Sequence, residues 1–253
     1  EQLHAMDYMV YAYLQVGEDG KAREAADEML RVAGYSPDVR TGWFAVAASQ
    51  ARYMVERADW EGAARLTVRP SRFAYADALT HFARAIGAAR TGGLDSARED
   101  IAKLAELRDK LVLAKDPYWA EQVDIQHRVA SAWLMFAESR PEEALASLSA
   151  AADLEDRTEK SIVTPGPLAP ARELYGAMLL ERGMATEARM AFESTLKKEP
   201  NRLGATIGAA KAAASSGDAE GARQHYRKAI TLTEGAGADR PELKDAHNFL
   251  AKL

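Results

Sequence analysis

The 253-residue sequence contains no cysteine. That excludes disulfide staples, thiolate nucleophiles and cysteine-based zinc sites, while leaving the redox compartment open. It has no apolar run of the ~18 residues a membrane-spanning helix requires, so no membrane span is expected. It lacks a basic excess: 33 Lys and Arg stand against 38 Asp and Glu, a formal net charge of -5 with the signs interspersed. The basic stripe that neutralises phosphates is therefore missing, which argues against a nucleic-acid partner. Signatures of chemistry are missing as well. There is no G-x-G-x-x-G turn ahead of a helix, no P-loop, no G-x-S-x-G elbow and no H-E-x-x-H pair. No cofactor and no metal are implied by any motif.

What is present is helix. The chain is 47% hydrophobic, rich in alanine and 28% charged, a balance that suits packed amphipathic helices rather than disorder. From Ala169 to Leu232 two helix pairs repeat 34 residues apart, so that Gly183 matches Gly217, Ala188 matches Ala222 and Phe192 matches Tyr226. The small residues let paired helices approach closely, and the ring wedges between them. Reading backwards, the small residue that opens each second helix recurs at Ala22, Ala64, Ala97, Ala144, Ala188 and Ala222, in steps of 42, 33, 47, 44 and 34. The predicted pairs are Leu3–Val16 with Gly20–Val32, Arg40–Arg57 with Trp60–Leu66, Tyr75–Arg90 with Leu94–Leu113, and Tyr118–Glu138 with Pro141–Asp153. Two regular pairs and a closing helix, Pro241–Leu253, complete the chain. The pattern predicts an all-α fold, a right-handed α-α superhelix of about six helical hairpins. Residues 1–158 form the irregular hairpins, and 159–253 hold the regular pair and the closing helix, continuous with the first part.

The fifth hairpin, with Tyr175, Gly176, Leu179, Gly183, Ala188, Phe192 and Pro200, resembles the tetratricopeptide repeat (TPR) superfamily. So does the sixth, with Ala210, Gly217, Asp218, Ala222, Tyr226 and Ala229, although Ala210 and Ala213 replace the usual glycine and aromatic. The segments LHAMDYMVYAYLQ and VTPGPLAPARELYGAMLLERG resemble the C-terminal part of long bacterial repeat proteins of this type. That resemblance implies a scaffold, with further N-terminal repeats of the same full-length protein carrying part of any site. The chain also begins without Met and already in helical rhythm, which predicts a segment cut from something longer. Its location is then cytoplasmic or, if a leader was removed, periplasmic.

In a stack of helix pairs the first helices line the concave wall. That register offers His4, Asp7, Tyr11, Tyr53, Arg57, Phe82, Ile86, Arg90, Trp133 and Phe136, then Glu173, Glu181 and Lys211. Aromatic rings give large contact area at low entropy cost, and arginines bond carboxylates. A protein or peptide segment, with a free carboxylate or acidic side chain, is the expected guest. The same side chains also read as packing between adjacent repeats. Arg172, at the end of the stiff Thr164–Pro170 crossing, is a candidate ligand contact or the partner of an acid such as Glu159. A rival reading is enzymatic: His4 with Asp7, and His81 with His127 and Asp124, gathered into a two-His, carboxylate site. His225 and His247 have no useful partner in the sequence. A third reading is self-association through an apolar terminal repeat.

Overall fold

The computed structural model describes residues 2–32, 40–161, 164–236 and 240–252, and every regular element among them is a helix. Five pairs follow in order: α1 Gln2–Gln15 with α2 Asp19–Arg31, α3 Arg40–Glu56 with α4 Trp60–Ala64, α5 Ala74–Arg90 with α6 Leu94–Leu113, α7 Pro117–Ala137 with α8 Pro141–Arg157, and α9 Ala171–Glu181 with α10 Ala185–Lys198. The sixth pair is α11 Leu203–Ser215 with α12 Ala219–Leu232, and α13 Pro241–Leu250 closes the series. Helix α8 runs four residues past its expected end because Leu154–Arg157 contains good helix formers and places a cation in the last turn. Of the predicted linkers, Ile162, Val163 and Gly237–Asp239 lie outside the described residues.

One backbone device recurs in all six hairpins. Two residues ahead of each second helix the chain passes through positive φ, at Gly17, Ala58, Gly92, Ser139, Gly183 and Gly217. The fourth residue of each second helix is an alanine whose N–H donates to the carbonyl just ahead of the helix. The bonds are Ala22 to Glu18, Ala63 to Asp59, Ala97 to Gly93, Ala144 to Arg140, Ala188 to Met184 and Ala222 to Asp218, all 2.8–3.0 Å. All six alanines are fully buried. The structure corrects the sequence register at one place: the second hairpin uses Ala63, whereas Ala64 is only half-buried. The steps from Ala22 to Ala63 and from Ala63 to Ala97 are then 41 and 34 residues.

The chain divides into two compact units, Glu1–Tyr11 with Arg23–Ala171, and Ala12–Ala22 with Arg172–Leu253. In the first, Met6, Met29, Ala45 and Val46 form one core cluster. Helix α5 packs against α3, α4, α6 and α7, and α7 against α8. A Cβ on Gly87 would stand 2.5 Å from the Ala64 backbone nitrogen, so α5 and α4 meet at backbone contact that only glycine permits. Rings join α3, α5 and α7: Tyr75 stacks on Trp119 at 4.3 Å, and Phe44 lies 5.5 Å from Trp119. Burial pushes the Tyr75 hydroxyl up to about 12.

In the second unit α10, α11, α12 and α13 pack in succession. The Phe192 ring is wedged between Gly176 and Gly208, where an added Cβ would come within 3.0 and 2.5 Å of it. Tyr226 takes the equivalent place against Ala210, Ala213, Ala222 and Ala246. The closing helix contributes Leu243 to a cluster with Leu203, Ile207 and Ala229. This unit also contains the turn between α1 and α2. Gln15 Oε1 accepts from the Leu203 N–H at 2.9 Å, and the buried Arg240 donates to the Asp19 carboxylate and the Leu14 carbonyl.

Candidate functional site

The first unit contains an open cavity of about 880 Å³, within the ~300–1,000 Å³ range of ligand sites. Helix α2 contributes Arg23 and Leu30. Helix α3 contributes Trp43, Val46, Ala47, Gln50 and Met54, and α5 contributes Ala76, Asp77 and Thr80. The fourth wall is the connection after α4, from Arg65 to Ser71. Helix α4 ends in a turn at Arg65 (φ -97°, ψ 4°), and the chain leaves the helix from Leu66 onward. Arg65, Thr67 and Arg69 are exposed while Leu66 and Val68 are half-buried, the period of two of an extended strand. Pro70 has no N–H and prevents this stretch from joining α5.

The wall is held at both ends. Arg84 Nη1 donates to the Leu66 carbonyl at 2.9 Å, and its Nε bonds both Asp100 oxygens at 3.0 and 3.1 Å. His81 Nδ1 meets the same Asp100 at 2.6 Å. At the far end Ser71 donates to Asp77 through its N–H at 3.0 Å and its hydroxyl at 2.7 Å. Burial pushes the Asp77 carboxyl up despite those bonds. Between these anchors, among the described residues, no hydrogen bond occupies the N–H of Thr67, Val68 or Arg69. Among the described residues no ion pair neutralises Arg65 or Arg69, whereas Arg23 is paired with Asp27 at 2.9 Å.

The residues expected to line a wall have specific partners. Arg23 and Arg57 both lie over the Tyr53 ring, at 5.3 and 5.6 Å, so Tyr53 supports one rim of the cavity. Arg90 is held between Trp60 and the buried Trp133, at 5.3 and 4.4 Å. Phe82 and Ile86 are core residues, and Phe136 packs edge-on to Trp133. Glu173 accepts from the fully buried Arg202 at 2.6 Å within the second unit, where Arg172 and Lys211 are half-buried and Glu181 is exposed. Among the histidines, His4 meets the Tyr8 ring edge-on at 5.2 Å. His127 is half-buried, and burial with the nearby Arg108 holds its imidazole below its ordinary value. Asp124 instead binds Arg108 and Arg128. His225 stands 3.5 Å from Glu193. Thus His4, His81 and His127 have separate partners. Among the described residues no group of three or more His, Asp or Glu is placed to hold a metal ion.

Asp7 has a different environment from the one its spacing to His4 suggests. It is fully buried, with neither carboxylate oxygen hydrogen-bonded, and its nearest cation is Arg52 Nε at 3.8 Å. Burial pushes its carboxyl up to about 6, against the opposing pull of Arg52. Arg52, also fully buried, sits 5.4 Å from the Tyr11 ring and donates to the Pro167 and Gly166 carbonyls at 2.8 and 3.2 Å. The proline-rich crossing is therefore a pinned, mostly buried segment. Prolines 165, 167 and 170 remove three N–H groups that burial would otherwise leave to be satisfied. Gly166 supplies a φ of 133° that side chains rarely adopt. Sequence reasoning overlooked Arg52 because a charged residue among alanines reads as a solvated face. Its one signal was its position within the mostly apolar stretch Phe44–Val55.

With six hairpins in a common register, two of them separated by 34 residues, the fold is decided by the molecule itself. The hairpins are tetratricopeptide-like. Among solved structures the chain is similar to the TPR domain of P58(IPK), with a TM-score of 0.40, 15% sequence identity, and coverage of 99% of this chain and 79% of that one. No protein-family model and no curated protein matches the chain. No described helix is long and apolar enough to cross a membrane.

Proposed function

We propose that the protein is a helical-repeat scaffold that binds a segment of a partner protein, and that the cavity bounded by α2, α3, α5 and the Arg65–Ser71 connection receives it. The observation that carries this reading is the combination, in one open cavity, of an apolar floor and an ordered wall with unused backbone donors. Leu30, Val46, Ala47, Met54, Leu66 and Val68 provide apolar area whose burial drives association. The polar backbone fixes orientation, as in sites that add an extended chain to a free edge.

Selection of random peptides by the immobilised protein tests this. Wild-type protein should enrich related sequences, and Ala47→Trp, which fills the cavity floor, should abolish the enrichment. A control substitution of the exposed Leu113 should leave it intact. Enrichment that survives Ala47→Trp unchanged, or no enrichment by the wild type, would sink the proposal.

A further inference from the structure

Resting on that reading, we infer that the segment is extended and acidic: its backbone pairs with the Thr67 and Arg69 edge of the wall, and its carboxylates meet Arg65 and Arg69. Three independent features point the same way. The first is the alternation of exposed and half-buried residues from Arg65 to Arg69, which marks an extended wall. Neighbouring strands in a sheet are ~4.8 Å apart, and a chain at that distance could use the unoccupied donors. The second is charge. Arg65 and Arg69 are exposed, carry no intramolecular ion pair among the described residues, and stand two positions either side of Thr67. Planar guanidinium groups bond carboxylates in pairs, which neutral side chains cannot reproduce.

The third feature is rigidity. The Leu66 carbonyl is tied to Arg84, Arg84 to Asp100, and Asp100 to His81, while Ser71 is tied to Asp77. The wall is thereby ordered before any guest arrives, which lowers the entropy cost of pairing with it. His81 enters this account as a positioning residue. It reaches the wall through Asp100, which it bonds at 2.6 Å.

An extended guest alternates its side chains, so every second residue faces the apolar floor and the others face the arginines. The test uses fluorescent peptides of about eight residues with amidated C-termini, alternating Leu with Glu, Gln or Lys. The Leu–Glu peptide should bind, with about tenfold weaker binding for Leu–Gln and none measurable for Leu–Lys. R65Q/R69Q, both on exposed positions, should reduce Leu–Glu binding to the Leu–Gln level and leave Leu–Gln binding unchanged. Raising the salt should weaken only Leu–Glu binding to the wild type. Equal binding of Leu–Glu and Leu–Gln would overturn the acidic preference while leaving the segment-binding function standing. Selection of exclusively neutral or helical peptides by the immobilised protein would do the same. Saturable binding of laurate that Ala47→Trp abolishes, with no peptide bound in either assay, would overturn both and make the cavity a site for amphiphilic small molecules.

Discussion

Asp7→Asn should make the protein more stable, by an amount that depends on pH. In the folded chain the Asp7 carboxylate is fully buried, unbonded, and faces one cation at 3.8 Å. Its pKa is pushed up to about 6 from the ordinary aspartate value of about 4. The folded state therefore binds the Asp7 proton more tightly than the unfolded state. The contribution of this group to stability is complete below about pH 4, falls as pH rises through 6, and is lost above it. About two pKa units at 1.36 kcal/mol each make the ionised carboxylate cost about 3 kcal/mol at pH 8. Asparagine occupies the same space without the charge and removes that cost. The substitution should raise the melting temperature by roughly 6–12 °C at pH 8 and by almost nothing at pH 4. Paired thermal melts of wild type and variant across that range are the assay. A lower melting temperature for Asp7→Asn at pH 8 would refute the reasoning. It would show that Arg52 needs its counter-ion, so that the buried pair stabilises the fold outright.

Other parts of the account make equally direct predictions. Ala58→Gly and Ser139→Gly should each stabilise the chain by about 0.5–1 kcal/mol, because both replace a side chain at positive φ. Denaturant midpoints measure this, and destabilisation by either would contradict the common turn geometry. Gly208→Ala should cost about 1–3 kcal/mol by driving a methyl into the Phe192 ring, whereas Gly20→Ala, with open space at its Cβ, should be neutral or slightly stabilising. Equal effects of the two would remove the wedge from the explanation. Arg240→Ala leaves the Asp19 carboxylate and the Leu14 carbonyl without a buried donor, and should lower stability by about 3 kcal/mol. Hydrogen exchange should then accelerate at Leu203, whose N–H is held by Gln15. Unchanged exchange there would separate the two contacts.

The fold was largely legible because its determinants are local. Glycine at a turn, alanine four residues into the following helix and a ring one turn later form a pattern that sequence periodicity exposes directly. The second hairpin escaped its true register because Ala63 and Ala64 are adjacent and only packing distinguishes them. The contacts of Gln15 and Asp19 with Leu203 and Arg240 were illegible for the opposite reason, since they join positions about 190–220 residues apart with no repeat to announce them. For the proposed site, first-helix register offered Tyr53 and Arg57; Tyr53 stacks under Arg23 at the cavity rim, and Arg57 lies over the same ring. It missed Arg65, Thr67 and Arg69, which belong to no helix and break the period on which the reasoning relied. Their signal was the alternation Arg-Leu-Thr-Val-Arg ahead of Pro70, a short strand-like pattern inside a helical chain.

The most direct test of the central claim is amide exchange, read residue by residue by NMR, with and without the alternating Leu–Glu peptide. The account predicts that the Thr67 and Arg69 amides, which share one edge of an extended wall and are unbonded among the described residues, gain protection when the peptide binds, while Val68 on the opposite edge and the amides of α9–α13 do not change. A bound peptide that leaves Thr67 and Arg69 exchanging freely would contradict it and place the binding surface elsewhere.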